Sequence, residues 1–166
     1  QRSAYFGLQD KIDDIVRIQI GKIGMNKMPC SCVYFNQGRI ACFDLASGNH
    51  LWSRDMSSAA GVDVDARNIY VTDEKGAVHA LDRANGATVW KQDKLFMRQV
   101  SRPIALANHV AVGDYQGVVH LLRRDNGAFA ARYNTDSSGI AAEPQRLERG
   151  FLMQTRNGGL YALSPN

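Results

Sequence analysis

Long apolar runs are missing from this 166-residue chain. None approaches the roughly 18 residues that a helical membrane span needs. Cysteine is scarce. Three residues are too few for the disulfide framework of a small secreted domain. Cys30 and Cys32 flank Ser31, and a C-x-C pair can bind metal. No second Cys or His pair at finger spacing follows, so an incidental thiol pair is the better reading and no metal site is expected. Charge of one sign is lacking too. The 20 Lys and Arg stand against 16 Asp and Glu, a net charge of +4. The basic residues are scattered, with Arg123-Arg124 the densest pair. That favours a solvated surface over the contiguous basic patch that nucleic-acid binding requires. No signal peptide or lipidation cysteine is visible. Ser137 and Ser138 sit in no G-x-S-x-G elbow, and neither has a base that spacing would position. His50 and His109 fall in turns without an obvious partner, so no catalytic residue is expected.

What the chain does have is a repeat. Gly76 to Leu81, then Asp82 to Gly86, then Thr88 to Trp90 reads as strand, tight turn, strand. Asp bonds the backbone just ahead of it, and Gly accepts a positive φ. Thr, Val and Trp favour the return strand. Gly38 to Ser53 aligns with this stretch without a gap, placing Asp44, Gly48 and Trp52 over Asp82, Gly86 and Trp90. A third copy keeps Gly117 and Gly127 but has Arg123 for the Asp and Ala131 for the Trp. A fourth starts at Gly158. The leading glycines lie 38, 41 and 41 residues apart, and Ile69, Val110 and Phe151 recur at 41. A period near forty with about four short strands per copy is the signature of a β-propeller blade. A lone blade exposes apolar faces, so blades must stack to bury them. The expectation is an all-β propeller of about four four-stranded blades, near 28–57, 61–93, 102–134 and 142–164.

Residues 1–27 do not fit the repeat. Leu8, Ile12, Ile15 and Val16 have helical spacing, whereas Val16, Ile18 and Ile20 alternate as a strand does. The fourth copy stops before its Asp-turn-Trp strand, and Ile15 to Ile20 is the candidate to close that blade. Cys42 occupies a strand position taken by Ala80 and Leu121 in later copies, the place of a small core residue. His79 and His120 hold one repeat position, which argues for packing or hydrogen bonding, because a catalytic site breaks symmetry. Leu95, Phe96 and Met97 form an apolar cluster between blades. It reads either as a buried crossover or as a sticky rim loop that receives a partner, with Arg98 and Arg102 as its polar flank.

The pattern Ala80-x-Asp82-x-x-x-Gly86-x-x-x-Trp90 resembles the pyrroloquinoline-quinone-type propeller repeat. Val112 to Gly117, Asp136 to Gly139 and Ala142 to Pro144 resemble the last blades of the BamB family of outer-membrane β-barrel assembly lipoproteins. The resemblance covers roughly residues 38–164. It implies the C-terminal half of an eight-bladed parent whose signal and lipid anchor precede this chain. It further implies a non-enzymatic scaffold without cofactor at the periplasmic face of the outer membrane. Such a scaffold binds the periplasmic domains of the barrel-inserting protein and offers sheet edges to unfolded barrel precursors. The acidic, proline-containing stretch of that family has no match here. Quinone-dependent dehydrogenases share the repeat and are the competing class, with Trp52 and Trp90 then stacking on a quinone rather than packing between blades. Against that class, Asp44 and Asp82 hold turn positions, no carboxylate cluster suggests a calcium site, and vicinal cysteines are absent. A fragment without complete function, or two copies pairing as a homodimer to complete a ring, are the remaining readings.

Overall fold

The computed structural model describes residues 30–35, 38–44, 46–58 and 60–165. Residues 1–27, with the closing strand expected at Ile15 to Ile20, lie outside the described residues. Those described form an all-β structure of four antiparallel sheets. The first holds β1 (Cys30–Phe35), β2 (Arg39–Asp44) and β3 (His50–Asp55). The second is β4 (Val62–Val64), β5 (Asn68–Thr72), β6 (Val78–Asp82) and β7 (Thr88–Gln92). The third is β8 (Ile104–Ala105), β9 (His109–Gly113), β10 (Val118–Arg123) and β11 (Phe129–Asn134). The fourth is β12 (Gln145–Leu147), β13 (Gly150–Gln154) and β14 (Leu160–Leu163). Each sheet is a meander of consecutive strands, the arrangement of a propeller blade.

The core lies between blades rather than within them. Central strands such as β5 and β10 are buried on both faces and lack polar alternation, because each blade is covered by a neighbour on either side. Ile40, Trp52, Ile69 and Leu81 fill the first seam, Tyr70, Trp90, Val110 and Leu122 the second, and Leu121, Phe151 and Met153 the third. The short strands β4, β8 and β12 converge on one another. Asp63 on β4 accepts the Ala105 amide of β8 at 2.7 Å and the Arg146 guanidinium of β12 at 3.0 Å.

One contact recurs at consecutive seams. The Trp52 indole N–H donates to the Arg83 carbonyl at 2.9 Å, and Trp90 does the same to Arg124 at 2.9 Å. Each ring lies flat on the turn glycine of the next blade. A Cβ on Gly86 would sit 2.6 Å from the Trp52 ring, and one on Gly127 2.5 Å from Trp90. These glycines also hold φ of 74° and 72°, the left-handed region. Arg54 and Gln92 then donate to the Gly86 and Gly127 carbonyls, both at 2.9 Å. The Asp of the turn caps it from inside: Asp82 Oδ1 accepts the Ala84 and Asn85 amides at 2.8 and 3.2 Å, and Asp44 Oδ1 accepts those of Ala46 and Ser47 at 3.1 and 2.7 Å. Gly48, the matching turn glycine of the first blade, has no neighbour close to a Cβ position among the described residues.

Cys42 is buried in the first seam, as its repeat position predicts. It is also disulfide-bonded, which the sequence reading did not foresee. The antiparallel register of β1 and β2 sets Cys32 directly across from Cys42. That proximity comes from strand pairing and leaves no mark in linear spacing.

The Trp–Gly seam predicts the cost of disturbing it. Gly127→Ala adds a methyl group to a closed contact and forces a left-handed residue, so the expected loss is about 1–3 kcal/mol. Trp90→Ala removes the ring itself and is expected to cost about 3–5 kcal/mol. Urea unfolding followed by circular dichroism measures both.

Candidate docking site

The segment between β7 and β8 is a loop whose backbone is tied at both ends. Leu95 is 2% exposed and packs into the second seam with Tyr70, Val78 and Val100. It anchors the loop and takes no part in the surface. Phe96 and Met97 are turned outward, 63% and 70% exposed. The Met97 amide donates to the Lys75 carbonyl at 2.9 Å, fixing the loop to the preceding blade. The Tyr115 amide donates to the Arg98 carbonyl at 3.1 Å, fixing it to the next. Gly76 is required beneath it, since a Cβ there would lie 2.5 Å from the Leu95 carbonyl oxygen. Met97 and Gln99 adopt φ of 59° and 48°, costly for non-glycine residues and held only because these contacts over-determine the path.

Arg98 secures the loop electrostatically. Its Nε donates to Asp114 Oδ2 at 2.7 Å and its Nη2 to Gln116 Oε1 at 2.7 Å. Its guanidinium carbon lies 6.0 Å from the centroid of Tyr115, which is itself exposed. Asp114 is fully buried and receives more than Arg98. His120 Nε2 lies 2.9 Å from Oδ2, and the Gln116 and Val118 amides donate to Oδ1 at 2.9 and 3.0 Å. Burial alone would raise the Asp114 pKa. The hydrogen bonds from His120, Val118 and Arg98, with the Arg98 charge, outweigh it and pull the value down to about 2. The result is an apolar tip of Phe96 and Met97, edged by Tyr115, on a loop held in one conformation. A docking surface needs this: anchors ordered before a partner arrives.

The other singled-out residues take structural places. His79 and His120 share one role, since His79 Nε2 meets Asp73 Oδ2 at 2.9 Å as His120 meets Asp114. Burial would raise the Asp73 pKa, yet its bonds to His79 and the Ala77 amide leave it lowered. His50 lies edge-on to Phe43 at 5.5 Å. Ser138 donates its hydroxyl to Asp136 at 2.6 Å and accepts the Asn157 amide at 3.1 Å, which is turn chemistry. No group of His, Cys, Asp and Glu that could hold a metal occurs among the described residues. Arg102 departs from its expected place beside the apolar tip. It runs inward, donating to the Val62 carbonyl at 2.8 Å and pairing with Glu143 at 3.0 Å. Asp114 and Tyr115 complete the site and were not singled out individually from sequence. The signal existed: Asp73-x-x-Gly76-x-x-His79 and Asp114-x-x-Gly117-x-x-His120 repeat one spacing.

This network fixes a pH dependence. A carboxylate whose folded pKa is depressed from 3.8 to about 2 contributes stability above the unfolded value and loses it as pH falls toward the folded one. Asp114→Asn is expected to lower stability at pH 7. The gap between wild type and variant should then narrow by about 2 kcal/mol between pH 5 and pH 2. Urea midpoints measured across that range test it.

The family model described as "Outer membrane protein assembly factor BamB" matches residues 25–92. The protein of that name from Bordetella pertussis is 39% identical over 141 residues, 84% of this chain and 36% of the relative. That of Burkholderia pseudomallei is 41% identical over 135 residues, 81% and 35% of the two chains. The crystal structure of BamB from Moraxella catarrhalis superposes with a TM-score of 0.74 at 24% identity, covering 80% of this chain and 39% of that one. This last likeness concerns the propeller fold. The chain spans a little over a third of the length of these two curated relatives.

Proposed function

Because the chain belongs to the BamB family of outer-membrane protein assembly factors, we propose that it acts in barrel-protein assembly as a non-enzymatic docking scaffold. The partner on this reading is the set of periplasmic domains of the barrel-inserting protein. The observation that carries it is the Phe96–Met97 tip, exposed on a loop locked by Arg98 and Asp114. Two large apolar side chains held outward gain nothing for the fold, and their burial in a partner is the gain that explains them. Arg98 and Tyr115 supply the polar and aromatic rim such a patch uses. The work takes place at the periplasmic face of the outer membrane. The disulfide at Cys42 supports that compartment, since disulfides persist where the environment is oxidising. The outer edge of β14 carries no strand among the described residues and suits transient pairing with an unfolded barrel precursor.

The test replaces the tip. Phe96→Ala with Met97→Ala is expected to leave thermal unfolding unchanged. It should weaken binding to the immobilised periplasmic domains by at least about tenfold, the effect of losing a central apolar anchor. Unchanged affinity in biolayer interferometry overturns the assignment of this loop.

A further inference from the structure

Connections in an antiparallel meander alternate between its two ends. The Phe96–Met97 tip and the turns after β5 and β9 therefore lie on one face of the propeller. The turns after β4, β6, β8 and β10 lie on the other. On that second face, cavities of about 610 and 570 Å³ open between the second and third blades. Arg67, Asn68, Arg124 and Asp125 line both, so the two form one groove. Arg123 and Asn108 extend it at one end, Arg83 and Val89 at the other.

The charge of this groove is less balanced than its composition. Asp65 is engaged on every side. Its Oδ1 accepts the Arg67 and Asn68 amides at 2.8 and 2.7 Å, and its Oδ2 accepts the Tyr70 hydroxyl at 2.8 Å. Arg124 stands 3.6 Å from the same carboxylate. Asp82 is committed to the turn amides of Ala84 and Asn85. The guanidinium groups of Arg67 and Arg123 are exposed and have no acceptor among the described residues, although fixed turns hold their backbones. Two uncompensated cations thus flank a concave channel whose acids are already in use, with Asp125 at the rim as the remaining opposing charge.

We propose that this groove binds an acidic, extended polypeptide segment. Each chamber alone is the size of a small-molecule site, and the two joined are too long for a single inorganic anion. Arg67 and Arg123 pair with carboxylates. The Asn68 and Asn108 amides offer both donors and acceptors to a peptide backbone. Among the described residues no Phe, Tyr or Trp lines the groove, which disfavours the stacking platform that single-stranded nucleic acid uses. The site is on the face opposite the apolar tip and does not rest on the docking assignment.

The experiment uses the whole chain and a capped, fluorescein-labelled peptide of alternating Glu and Thr, followed by fluorescence anisotropy. Saturable binding is expected, weakening between about 0.02 M and about 0.15 M salt. Arg67→Glu with Arg123→Glu should weaken it by about tenfold or more. Lys75→Glu with Arg156→Glu makes the same charge change on turns of the opposite face and should stay within about twofold. Asp125→Asn should tighten binding. Circular dichroism confirms folding of each variant. Equal loss in both double variants means bulk charge alone and overturns the proposal, as does absence of saturable binding. Inorganic phosphate displacing the peptide with the same variant sensitivity marks a small-anion site and overturns it as well.

Discussion

The structure depends on one requirement: every blade must be covered by the next. A meander of three or four short strands has two apolar faces and too little interior to hold itself together. The Trp–Gly seam meets that requirement at a defined angle. The ring supplies area, its N–H is satisfied by a turn carbonyl, and the facing glycine permits contact distance. The hydrogen bond gives direction to what would otherwise be non-directional burial. Adjacent blades therefore meet in one register, and the same geometry recurs at consecutive seams.

That arrangement leaves the loops free to vary while holding their ends rigidly. The Phe96–Met97 loop shows the consequence. Its backbone includes two left-handed non-glycine residues, which a flexible loop would relax. It does not relax because both flanking blades hold its amides and because Asp114 gathers Arg98, His120 and two backbone donors into one buried cluster. Asp114 belongs to the turn that opens the third blade's central hairpin. The residue that closes that turn is thus also the residue that orders the Phe96–Met97 loop.

Much of this was legible in the linear chain. The forty-residue period, the Asp-x-x-x-Gly turns and the equal placement of Trp52 and Trp90 are local or periodic features, and pattern carries such features well. What was not legible involves side-chain direction or pairing across strands. Leu95, Phe96 and Met97 are consecutive and similar in hydropathy, yet one is core and two are surface. The split follows the path of the loop backbone, left-handed at Met97, and no residue type advertises it. Arg98 and Arg102 look equivalent beside the cluster, but one braces the loop and the other reaches the inner strands. The Cys42 disulfide leaves no mark in the residues beside it in sequence. The Asp–His couples were recoverable, since their i, i+6 spacing recurs.

The two faces of the propeller differ in kind, and the repeat itself explains why. On the face of the Phe96–Met97 tip, the turns of the second and third blades are capped internally: Asp73 and Asp114 bind their own backbone amides and the histidine of the following strand. The Asp and His groups of these turns are consumed, and the Phe96–Met97 tip projects beside them. On the opposite face, the turn Asp is kept in the second blade but replaced by Arg123 in the third. One substitution removes an anion and adds a cation beside Arg124, Arg67 and Arg83. Symmetric repeats give symmetric surfaces, and this departure gives one seam a charge its neighbours do not share. The two proposed recognition surfaces thus draw on residues the repeat leaves free, an apolar tip on one face and a reversed charge on the other, while the repeated residues carry the fold.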